Sequence, residues 1–92
     1  MDEREIYLMP RIAEADFPAL RELMKGEDDF PATYAEWTAY WNKRRLEEER
    51  DHDYDVVFID VIPASFASYC ELPNFSTNWR GLGQYIAVLV GR

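Results

Sequence analysis

Val56-Val57-Phe58-Ile59-Asp60-Val61-Ile62 is the stretch on which the fold turns. Six of its seven residues are apolar and five are β-branched, a composition that is stiff at χ1 and fits a pleated surface better than a helix. The apolar run does not alternate, so it reads as a strand covered on both faces and therefore central. Asp60 interrupts it on the face shared by Phe58 and Ile62. A buried, unpaired carboxylate is costly, so Asp60 must reach solvent, a helix N-terminus or an arginine. Its expected role is structural, with a binding or catalytic role as the alternative.

Just before the strand, Asp51-His52-Asp53-Tyr54-Asp55 forms the turn into it. The alternating acids resemble the start of a calcium loop, but that loop needs Gly at its sixth position and Glu at its twelfth. Val56 and Ile62 stand there. The segment therefore reads as a solvated turn, and no metal site is expected.

Further back, Thr33-Tyr34-Ala35-Glu36 has the form of a capping box, which opens a helix expected to run to about residue 50. Trp37, Tyr40 and Trp41 stripe its first half and, with Tyr34, cover a wider arc than one packing face needs. Tyr and Trp dominate interface hot spots. Tyr34, Trp37, Tyr40, Trp41 and the later Trp79 are thus the candidate interface residues, for another protein or a second copy. In the second half, Lys43, Arg44 and Arg45 precede Glu47, Glu48 and Glu49 at i,i+4, the weaker orientation, and the acids oppose the helix dipole. This half is expected to be solvated and to fray.

Toward the N-terminus, Ile6-Tyr7-Leu8-Met9 ended by Pro10 reads as a first strand of about five residues. Asp16 is placed to cap a helix over about 16–25, with Phe17, Leu20, Leu23 and Met24 at helical spacing and Gly26 closing it. Toward the C-terminus, Pro63 suits the first turn of a short helix carrying Phe66, Tyr69 and Cys70, with Pro73 as its stop. Ser76 or Thr77 is expected to cap a last helix striped by Trp79, Leu82, Ile86 and Leu89. Gly81 and Gly83 each weaken that helix by about 1 kcal/mol relative to Ala. Tyr85–Val90 is the alternative strand, and helix is preferred.

The order β-α-α-β-α-α predicts one small α/β domain over residues 1–92: two layers, a minimal sheet covered by helices, with α+β as the alternative class. Two strands alone make a marginal sheet. Either a third strand lies near the C-terminus or a dimer completes the sheet.

Composition narrows the function. The chain of 92 residues carries 18 acids against 10 bases, a net charge of −8. Residues 1–30 hold nine acids and four bases, and residues 31–60 eight and four; residues 61–92 hold only Glu71, Arg80 and Arg92. Such acidity opposes binding to a phosphate backbone, and Glu47–Glu49 neutralise Lys43–Arg45, so no nucleic-acid partner is expected. No apolar run approaches the roughly 20 residues of a membrane span. The charged N-terminus opposes a signal peptide, so no membrane and a cytoplasmic location are expected. One His and one Cys cannot build a Cys/His zinc site. Cys70 reads as a small apolar packing residue, and Ser65, Ser68 and Ser76 lack a nucleophile-elbow context.

Two resemblances add to this. Phe30-Pro31-Ala32-Thr33-Tyr34-Ala35-Glu36-Trp37, followed by Pro63-x-x-Phe66-x-x-Tyr69-Cys70, resembles a set of small bacterial proteins of uncharacterised function with an F-P-x-T-Y-x-E-W … P-x-x-F-x-x-Y-C layout. That likeness implies an α/β layout and a bacterial cytoplasm, without an activity or a ligand. Arg80-Gly81-Leu82-Gly83-Gln84-Tyr85 resembles the acyl-CoA pyrophosphate loop of the N-acetyltransferase superfamily, with Tyr85 where that loop has Gly or Ala. It implies that Arg80, Gly81 and Gly83 would hold phosphates at a helix start. The expected function is a non-enzymatic protein-interaction module without catalytic residues or a cofactor. A small acyl-CoA-binding protein is the alternative.

Overall fold

The structure, a computed structural model, describes residues 5–72 and 76–91. Strand β1 (Ile6–Arg11) leads through a 3-10 turn (Glu14–Asp16) into α1 (Phe17–Leu23) and α2 (Tyr34–Asp51). Strand β2 (Asp55–Asp60) follows, then α3 (Pro63–Tyr69) and α4 (Trp79–Leu89). The expected order and class are those observed: a small α/β domain in which helices cover a two-stranded sheet. The strands pair in parallel, from Ile6 beside Asp55 to Arg11 beside Asp60. Parallel neighbours need a long crossover, and α1 and α2 supply it.

The core lies mainly among the helices. Ile12 and Val61, one residue past the ends of the two strands, join Phe17, Leu20 and Met24, Trp37 of α2, Phe66 of α3, and Leu82, Tyr85 and Ile86 of α4. At about 1.5–3 kcal/mol for each fully buried large side chain, this cluster dominates the stability.

The decisive strand differs from its expected burial. No residue of β2 is fully buried, and Val57 is 39% exposed. Helices reach both faces only in part: Ile59 packs against the helical core and Phe58 lies beside Trp37 and Trp41 of α2, each half-buried, while Val61 passes into the core and Ile62 out to solvent. Met9 of β1 is, by contrast, 0% exposed, and α4 packs chiefly against β1. The last element is a helix rather than a strand, so the described residues contain no third strand.

Local departures have local causes. Asp16 does not cap α1 with its side chain, because the 3-10 turn already holds it in a helical conformation. Pro18 also removes one amide that would need a cap. Thr33 does cap α2, its Oγ1 accepting from the Glu36 amide at 3.1 Å. The reciprocal arm is displaced by one residue: Glu36 Oε2 accepts from Ala32 N at 3.1 Å. Asn78, not Ser76 or Thr77, caps α4 by accepting from Gly81 N at 2.8 Å. Pro73 lies outside the described residues.

The charged half of α2 is not a solvated, fraying tail. The helix continues to Asp51, and Arg44 is half-buried with Nη2 donating to the Tyr7 hydroxyl at 3.0 Å. Arg45 meets Glu49 at 2.9 Å, and Arg44 lies 3.6 Å from Glu48. Contact with the start of β1 overrides the unfavourable charge order.

Candidate binding surface

Two backbone hydrogen bonds set the register from which the surface follows. Asp55 N donates to Glu5 O at 2.8 Å, and Val61 N donates to Arg11 O at 2.7 Å. The N–H and C=O of one strand residue point to the same side, and successive residues alternate. Odd-numbered residues of both strands therefore face the ladder. Val56, Phe58 and Asp60 turn their backbone groups away from β1, and among the described residues no hydrogen bond reaches them. On the opposite edge, Ile6, Leu8 and Pro10 point outward. Pro10 thus occupies a ladder position that needs no N–H, which is why it continues the strand instead of ending it.

Several exposed apolar side chains belong to the strands or follow them directly. Val57 stands out on β2, Ile6 on β1, and Ile62 beyond β2 at 59% exposure. Val88, Leu89 and Val90 are exposed at the end of α4. Arg11 Nε donates to Asp60 Oδ1 at 2.7 Å across the strand ends, with both side chains in solvent. That hydrogen bond holds the Asp60 carboxyl below its ordinary range and raises the guanidinium. Of the outcomes expected for Asp60, it reaches solvent and also meets an arginine.

The aromatic residues take a different place. Trp37 is 3% exposed, Tyr34, Trp41 and Trp79 are half-buried, and Tyr40 alone is exposed, at 47%. The wide arc is filled from within the chain. Phe17 packs edge-on to Tyr34 and Trp37, Phe30 stacks on Trp79 with centroids 5.4 Å apart, and Trp37 lies edge-on to Trp41 at 5.7 Å. Such pairs add about 0.5–1.5 kcal/mol each beyond their buried area. Trp79 Nε1 also donates to Asp29 Oδ1 at 2.7 Å. A shallow cleft of about 220 Å³ remains between Trp37, Trp41, Phe58 and Arg11. Sequence spacing brought these aromatics together correctly but could not show that Phe17 and Phe30 meet them.

The Gly-rich segment is explained by packing. A Cβ on Gly81 would collide with the Ser76 carbonyl oxygen, so only glycine allows this approach. Its amide already serves Asn78, and the Trp79 amide donates to Glu27 Oε2 at 3.4 Å. Two of the first amides of α4 are thus engaged by the chain's own oxygens. Arg80 and Gly83 are exposed, and Gly83 has open space around it.

The remaining candidates stand apart. Asp51 pairs with Arg50 at 3.0 Å, and the His52 ring stacks on Tyr54. Among the described residues no group of three His, Cys, Asp or Glu side chains could hold a metal ion. Cys70 is half-buried, and burial pushes its thiol above the ordinary range, which disfavours the nucleophilic thiolate. No helix of the described residues is long and apolar enough to cross a membrane. The open β2 edge was missed at the sequence level, although Pro10 supplies a signal for the other edge once the ladder is set. No family model, curated protein or solved structure matches the chain.

Proposed function

We propose that this chain is a non-enzymatic protein-interaction module whose unfinished sheet is completed by another polypeptide. The observation that carries the reading is the edge of β2, with outward backbone groups at Val56, Phe58 and Asp60 and an exposed Val57. Two strands are below the number that usually makes a stable sheet, and open edges are natural templates for a further strand. The aromatic face of α2 contributes less, because its rings are spent on one another and only Tyr40 remains exposed.

The test compares the full chain with Val56→Pro, which deletes an outward N–H while leaving the ladder to β1 intact. Partners captured from cell extract by the parent and lost by the variant support the module. Retention of every partner by the variant counts against this edge. The acyl-CoA alternative makes a separate forecast: acetyl-CoA at millimolar concentration would raise the melting temperature, since a ligand that binds only the native state stabilises it. The engaged amides at the start of α4 lead us to expect no rise.

A further inference from the structure

The shallow cleft between α2 and the sheet lies where a parallel sheet takes its ligands. Pro10 and Arg11 close β1, and Phe58 stands two residues before the end of β2. Open parallel sheets bind ligands at the carboxyl ends of their strands. A neighbouring hollow that reaches Asp60 and Ile62 shares Arg11, Ile12 and Tyr34 with the cleft, so the two adjoin at those strand ends.

The walls select by size, shape and charge. The cleft volume of about 220 Å³ exceeds the roughly 150 Å³ of a cavity that admits benzene, so a single ring with a small substituent fits. Tyr34, Trp37, Trp41 and Phe58 line it. Phe58 is half-buried and, unlike the rings of α2, makes no ring-to-ring contact among the described residues. A flat aromatic ligand supplies the partner that this ring lacks. Among the described residues that line the cleft only Arg11 is charged, and Asp60 already pairs with it, so a neutral ligand fits. The last criterion comes from Trp41, whose Nε1 is buried without an acceptor among the described residues. A buried donor left unpaired is unfavourable, and an acceptor brought by the ligand removes that cost.

We propose that this cleft binds a neutral, planar heteroaromatic small molecule carrying a hydrogen-bond acceptor, its ring against Phe58 and its acceptor taking the Trp41 N–H as the indole turns toward it. Phe or Trp side chains of a partner protein would fill the volume but bring no acceptor. The site uses none of the outward backbone groups of β2, so it stands or falls separately from the interaction-module reading.

The probe is nicotinamide, added to the full chain and followed by NMR through the tryptophan indole N–H signals. A dissociation constant on the order of 1–10 mM is expected for about nine non-hydrogen atoms. The Trp41 signal should move further than that of Trp79, whose Nε1 is already bonded to Asp29. Indole, flat but without an acceptor, and cyclohexanecarboxamide, with an acceptor but no flat ring, should each bind at least about threefold more weakly. Trp41→Phe should abolish the preference for nicotinamide over indole. Thr38→Phe, at an exposed position on the rim, should obstruct the cleft while keeping the parent's circular dichroism. An unmoved Trp41 signal at about 30 mM nicotinamide, or equal binding of the three compounds, overturns the proposal. Tighter binding of the nicotinate anion assigns the cleft to Arg11, and tighter binding of indole assigns it to an aromatic side chain of a partner; either result also overturns it.

Discussion

The two strands invert the ranking that their sequences suggest. β2 is the more apolar and β-branched, yet none of its residues is fully buried; β1 contains a proline and buries both Met9 and Pro10. The difference lies in what packs on them: α4 lies chiefly against β1, and α2 reaches β1 as well, where Arg44 meets Tyr7. Apolar β-branched composition therefore identifies a strand without saying how much of it is covered. In β2 the exposed part is the edge that we propose for binding.

The contrast can be broken most directly at Met9. Met9→Ala should cost about 2–5 kcal/mol by denaturant unfolding, as expected for a fully buried large side chain, whereas Val57→Ala should cost less than about 1 kcal/mol. Equal losses would mean that the two strands are equally covered. Next in size is Gly81→Ala, which forces a Cβ against the Ser76 carbonyl and loosens the start of the helix that covers β1. A loss of at least about 2 kcal/mol is expected, in the range of overpacking. Gly83→Ala, facing open space in the same helix, should instead gain about 0.5–1 kcal/mol. An equal response at the two glycines would remove the packing explanation.

The smallest expected effect concerns the ion pair that ties the strand ends. Because Arg11 holds the Asp60 carboxyl below its ordinary range, the pair contributes above the unfolded value of about 3.9 and fades as pH falls through the lower folded value. Asp60→Asn should therefore be slightly less stable than the parent at neutral pH, with the gap closing in acid. Thermal melts across about pH 2–7 would show it; a gap that widens in acid would contradict the pairing. Both groups are solvent-exposed, so the difference should be small and weakened by salt.

Much of the fold was legible because its signals are local. The capping box at Thr33, the Pro63 start of α3 and the helical stripe at Leu82 and Ile86 each act within a few residues. The errors share a different cause. The charged end of α2 stays helical because Arg44 reaches Tyr7, 37 positions away. The aromatic arc is closed by Phe17 and Phe30, and Gly81 is required by a backbone approach rather than by a phosphate. At the candidate surface, the sequence limited Asp60 to solvent, a helix N-terminus or an arginine, but not to the solvent-exposed pair with Arg11 that the fold makes. The open edge depended on a pairing register that no local pattern contains.

The sequence alone determined the element types and their order, because capping, helical spacing and β-branched runs act through neighbouring residues. It also determined the acidity of the first sixty positions. Only the tertiary structure decided which strand is covered, which aromatics are spent on packing and which backbone groups face outward. Those outcomes depend on contacts between residues distant in the chain and on the parity of one parallel ladder, where a shift of a single residue would turn the opposite set of groups toward solvent.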